Sequence, residues 1–227
     1  MREREDQKML MQTVFSPETK AGPGLAIQKS LVLHRFHEVI SHAFPLWYAR
    51  VEEEAFVTSL YTFMKQGAQS HQIWKTPDEY RKFVHTEQLF REMPYVDDLL
   101  WFEWIEVALI MRHYSPVEVS TFSYDKAYRL SESGVLKNLN FKVFETDGIE
   151  QSGTYHLLAY YDFDTDSVFF REISEVLMLF LETLHHSSVS EAITVIAELS
   201  ESTEAEVMAF FEDTLAELLT LRVMEER

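Results

Sequence analysis

The sequence predicts an α+β fold: an N-terminal all-helical module, then a small module of antiparallel sheet plus helices that is winged-helix-like in its order. Three observations point there. Apolar residues recur at helical spacing through the first half of the chain. Runs rich in Tyr, Phe, Val and Thr replace them after Ser115-Pro116. Capping-box spacings then mark the return of helices near the C-terminus. The predicted division is a helical domain over 1–117 and an α+β domain over 118–227.

Taken in order, the first helix follows the loop signal Ala21-Gly22-Pro23-Gly24 and runs to about Phe44, with Leu25, Val32, Phe36, Val39, Ile40 and Ala43 on one side. Pro45 forces its end, because the residue before a proline avoids helical geometry. A second helix, Glu53 to Lys65, places Phe56, Leu60, Phe63 and Met64 at helical spacing. Thr76-Pro77-Asp78-Glu79 is a helix start, with Thr76 as the expected cap. Pro94 opens the last long helix of this half, and its run Leu99 to Met111 is apolar on all sides, as a central buried helix would be.

Candidate strands follow at Ser120–Tyr124, Leu139–Glu145, Thr154–Tyr161 and Val168–Ile173, the last two flanking a hairpin turn at Asp162–Ser167. Helices are expected over Ser174–Leu184, Ser190–Leu199 and Glu204–Val223. Ser188 with Glu191 and Thr203 with Glu206 have capping-box spacing. The final helix should turn Val207, Phe210, Phe211, Leu215, Leu218 and Leu219 to a core.

Composition narrows the function. Of 227 residues, 46% are apolar and 14% aromatic, ample for a folded core. With no cysteine, disulfides, thiolate zinc sites, Cys nucleophiles and cysteine-bound iron–sulfur clusters are excluded. The opening MREREDQKMLMQTVF has no apolar signal region, and the run Leu99–Met111 is too short to span a bilayer, which needs about 20 residues. A cytoplasmic protein is expected. The net charge of −18 is uneven: residues 119–227 hold 7 basic and 21 acidic side chains. A duplex-binding surface must neutralise phosphates with Lys or Arg, so nucleic acid is an unfavourable partner for this half. Its acidity serves solubility or steers a basic partner.

The near-motifs fail in specific ways. In His37-Glu38-Val39-Ile40-Ser41-His42 the histidines are five apart, whereas a zinc-protease helix needs four. Glu103 and Glu106 sit one turn apart and form a candidate structural polar cluster, expected at a helix edge or paired with Arg or His. They would also anchor a carboxylate/His metal-dependent enzyme, but no E-x-x-H pair completes a di-iron set. Asp162, Asp164 and Asp166 open like a calcium loop, yet Ser167 replaces the glycine and Ile173 the bidentate Glu. No phosphate-cradling or nucleophile-elbow motif occurs, so no catalytic residue, metal site or cofactor is assigned. Trp47 and Tyr48, just past a helix end, are expected in the core first, with an exposed anchor for a partner as the candidate functional reading.

The order of segments resembles the HvfC family, long described as carrying a DNA-binding N-terminal domain. The resembling pieces are Ala43-Phe44-Pro45, Glu54-Ala55-Phe56, Ser70-His71-Gln72 and Thr76 to Phe83. Met93 to Leu100 and Glu103-Trp104 follow, then Leu157 to Tyr161 and Val168 to Glu172. The stretch from Ser120 to Gly153 fits least. The resemblance implies an accessory subunit of peptide biosynthesis, encoded beside an iron-dependent TIM-barrel oxidase that modifies cysteines in ribosomally made peptides. The partner protein of methanobactin biosynthesis is a distant relative of this kind. In such systems the oxidase holds the metals and the partner engages the precursor peptide. Val168, Phe169, Phe170 and Arg171 are then a candidate strand for capturing a peptide leader by strand addition. A DNA-binding transcriptional regulator is the alternative that the family's older description suggests.

Overall fold

The structure is a computed structural model that describes residues 23–66, 72–115, 119, 121–124 and 126–227. The expected loop at Ala21-Gly22, the family-like residues Ser70 and His71, and the junction residues Pro116, Val117, Glu118 and Ser120 lie outside them. So does the side chain of Leu25. The architecture is α+β with a helical N-terminal part. Two compact units divide between Val107 and Ala108.

The first unit begins with α1 (Pro23–Ala43), the single turn α2 (Pro45–Tyr48) and α3 (Glu53–Gln66). A 3-10 turn over Ile73–Lys75 leads into α4 (Thr76–Glu87), and α5 (Val96–Ile110) follows. The predicted α3 stripe is realised, with Phe56, Leu60, Phe63 and Met64 all buried. Rings dominate this core. Tyr80 of α4 meets Phe44, Trp47, Phe56 and Phe63 at centroid separations of 5.3 to 6.5 Å. Its hydroxyl shares a 2.6 Å hydrogen bond with buried Ser59, so the polar end of the ring is satisfied inside.

Thr76 departs from its expected role. The 3-10 turn runs straight into α4, which makes Lys75 the flanking residue in helical geometry and leaves Thr76 buried in the first turn. A hydroxyl caps only from extended backbone, so none does here.

The second unit holds a three-stranded antiparallel sheet, ordered β2 (Gly134–Phe141), β3 (Ser152–Asp162) and β4 (Ser167–Ile173). Its helices are α6 (Glu175–Leu184), α7 (Val189–Ser200) and α8 (Glu204–Thr220). Strand β1 (Tyr128–Leu130) pairs with β5 (Met224–Glu226) in a separate antiparallel ribbon. The expected strand at Ser120–Tyr124 is not formed where described; pairing starts at Tyr128. Leu139–Glu145 is also shifted, β2 ending at Phe141. The β3–β4 hairpin falls where predicted, with Asp166 taking the left-handed conformation (φ 53°) that closes the turn.

Leu158 and Ile173 of the sheet join the core formed by α6, α7 and α8. Phe180 and Phe211 stack there at 4.5 Å. That stack corrects one expectation: Phe210 is 67% exposed. Adjacent helical residues point about 100° apart, and Phe211 holds the inward position. Both late capping boxes form, Ser188 with Glu191 and Thr203 with Glu206. Among the described residues, no helix is long and apolar enough to cross a membrane.

Candidate functional site

Glu103, 7% exposed on α5, is a buried carboxylate of the first unit, as is Asp98 at 8%. Its Oε1 accepts the Leu46 N–H at 2.6 Å and its Oε2 the Trp47 N–H at 3.1 Å. These are amides of the first turn of α2, where helical amides lack intrahelical partners. Phe44, the flanking residue, has no side chain able to cap them. Glu103 therefore caps a helix from 57 positions away in sequence. The partners are backbone amides rather than the Arg or His side chains expected. Burial pushes the Glu103 carboxyl up to about 7, even though both amides and the nearby Arg50 charge favour its ionised form. Glu106, one turn on, is exposed.

Trp47 takes the core position rather than that of an exposed anchor. It is fully buried, edge-on to Phe44, Phe56, Tyr80 and Phe90 at 5.2 to 6.4 Å. Pro45 starts the turn, Glu103 pins its amides, and the indole faces the aromatic core. Tyr48 is half-buried, its hydroxyl donating to Glu53 Oε2 at 3.0 Å. The other Glu53 oxygen lies 3.1 Å from His37 Nε2. These two hydrogen bonds hold the Glu53 carboxyl below its ordinary range. His34 faces Glu38, and His42 Nδ1 donates to the Glu38 carbonyl. His34 and His42 thus share Glu38, one at its carboxylate and one at its carbonyl, while His37 uses Glu53. Among the described residues, no three His, Asp or Glu side chains are grouped to hold a metal ion.

The acidic hairpin turn is equally occupied. Asp162 accepts from the Asp164 amide and the Thr165 hydroxyl, Asp166 accepts from the Tyr161 hydroxyl, and Asp164 lies 3.6 Å from Arg222.

Strand β4 is placed differently. It lies at the edge of its sheet, with β3 as its neighbour. Its register is unbroken from Asp162↔Ser167 to His156↔Ile173. An edge strand leaves alternate amides and carbonyls unpaired by the sheet, which is a template for another strand. The opposite edge, β2, carries an irregularity between Leu139 and Phe141, a feature that blunts edges. On β4, Phe169 is 42% exposed and stacks on Tyr160 at 5.8 Å. Arg171 pairs with Glu217 of α8 at 2.9 Å. Val168 and Phe170, on the other face, are half-buried. The candidate residues Val168 to Arg171 therefore lie on one edge strand, with Phe169 and Arg171 exposed, and Trp47 belongs elsewhere. Sequence reading missed Tyr160 and Glu217 as its surroundings, because only the strand register and the fold of α8 bring them there.

No protein-family model and no curated protein matches this chain. The edge geometry and the motif order carry the functional reading.

Proposed function

We propose that this chain is a non-catalytic accessory subunit that acts in the cytoplasm. It binds a multinuclear-iron TIM-barrel oxidase and the leader of its ribosomally made peptide substrate, supporting cysteine modification. The observation that carries the reading is the continuous outer edge of β4, flanked by the exposed Phe169 ring. A leader lying along it gains main-chain hydrogen bonds with no catalytic side chain required. The order of family-like segments, from Ala43-Phe44-Pro45 through Val168 to Glu172, supports the choice of partner.

The test is co-expression with a barrel oxidase of that kind. The two proteins should co-elute, and peptide modification should fall when this chain is omitted. Separate elution together with full modification by the oxidase alone would sink the reading.

A further inference from the structure

Two helices, one in each unit, turn apolar side chains outward in matching ladders. On α1, Ile27 and Leu31 sit one turn apart, 61% and 63% exposed, and exposed Arg35 stands one turn further on. On α7 the same spacing runs through Glu191, Val195 and Leu199, all exposed, Val195 at 40% and Leu199 at 65%. The core side of α7 is instead Val189, Ala192, Ile193, Ile196 and Ala197, so its ladder is the outward face. The charges of the two helices are opposite. Residues 23–37 of α1 include Lys29 and Arg35 and no Asp or Glu, whereas α7 has Glu191 and Glu198 and no Lys or Arg. Arg35 has no ion-pair partner among the described residues. Both hydrogen bonds that the Glu191 carboxylate accepts come from Ser188 and fall on Oε2, which leaves Oε1 to face a cation.

We propose that the α1 ladder of one copy docks antiparallel on the α7 ladder of a second copy of this chain. In that register Ile27 meets Leu199, Leu31 meets Val195 and Arg35 meets Glu191, because every step is four residues on both helices. Apolar side chains then cover apolar ones, and the cation meets the anion. A parallel register also covers the apolar pairs, with Ile27 on Val195 and Leu31 on Leu199, but it carries Arg35 past the end of α7 at Ser200. The charge pair therefore selects the orientation, which is what an exposed ion pair does better than add affinity. The occupant is a second copy because both halves of the complementarity belong to this one sequence. A contact of this length is smaller than a stable dimer interface, and the net charge of −18 on each copy opposes approach. Association is accordingly weak and belongs to high local concentration. It is independent of what binds at β4.

Because the chain has no cysteine, single introduced thiols report the contact cleanly. Under mild oxidation, full-length Ile27→Cys mixed with Leu199→Cys should form a disulfide-linked heterodimer several-fold faster than Ile27→Cys mixed with Val195→Cys. Equal rates, or faster linking of the second pair, which a parallel register favours, overturns the inference. Sedimentation equilibrium of the native chain at physiological salt gives an independent readout. The weight-average mass should rise above the 26.7 kDa of one chain as concentration approaches about 0.5 mM, the regime for so small a contact. Leu31→Asp should hold the mass at that of one chain, and Arg35→Glu should weaken association by about threefold or more. All these side chains are exposed, and Leu31→Gln replaces Leu31→Asp if the charge unwinds α1. A native mass fixed at one chain, or association untouched by the Leu31 and Arg35 substitutions, overturns the proposal.

Discussion

In the helical unit the side chains most suggestive of function are consumed by the fold, whereas in the second unit β4 stands at the edge of its sheet. Glu103 spends both oxygens on the amides of α2, Trp47 is enclosed by four rings, and Glu53 is divided between His37 and Tyr48. On β4, Phe169 stays 42% exposed. A buried charge or a buried tryptophan thus serves stability here, and the exposed Phe169 ring on the edge strand is where the proposed binding falls. The contrast predicts that substitutions in the two regions separate cleanly by readout.

The largest effect belongs to Trp47. Trp47→Ala should cost about 3–5 kcal/mol of unfolding free energy by denaturant titration, the range for emptying a large aromatic site. A cost under about 1 kcal/mol would contradict its place in the core.

Glu103 gives a pH signature. Its carboxyl is raised from 4.5 to about 7 in the folded protein, so the folded state binds the proton more tightly than the unfolded one. Its stabilising contribution is present below the unfolded value and is lost as pH rises from about 4.5 through about 7. The expected loss is on the order of 1–3 kcal/mol. Subtracting the pH profile of Glu103→Gln from that of the native chain should isolate this slope, since the amide does not titrate. A flat difference would contradict it.

Much of the architecture is legible in the sequence, and the exceptions share a cause. Thr203 and Glu206, or Phe56 and Phe63, act within a few residues of each other, where spacing alone specifies geometry. What spacing cannot convey is long-range. Glu103 finds amides 57 positions away, and Arg129 of β1 pairs with Glu225 of β5 across 96. Those ribbon strands have three residues each, too few for alternation to register. Thr76 carries a start signal that the preceding 3-10 turn overrides. Of the candidate site, Val168 to Arg171 was legible as a strand, but its position at the sheet edge is a property of topology.

Smaller effects refine the picture on the helical side of the second unit. Thr203→Ala removes the hydroxyl that accepts the Glu206 amide and should cost about 1 kcal/mol. Glu201 ends α7 in the left-handed conformation at φ 53°. Glu201→Gly should therefore stabilise by about 0.5–1 kcal/mol, read as a raised thermal midpoint. Neither change should alter peptide binding, and a loss of binding in either would blur the separation drawn above.

The measurement that bears most directly on the account is hydrogen–deuterium exchange of the full chain with and without a precursor peptide of the proposed kind. Amides of Ser167–Ile173 should slow on addition of the peptide while those of Gly134–Phe141 keep their rates. A bound peptide that leaves β4 exchange unchanged, or that protects β2 instead, would contradict the edge as the binding element.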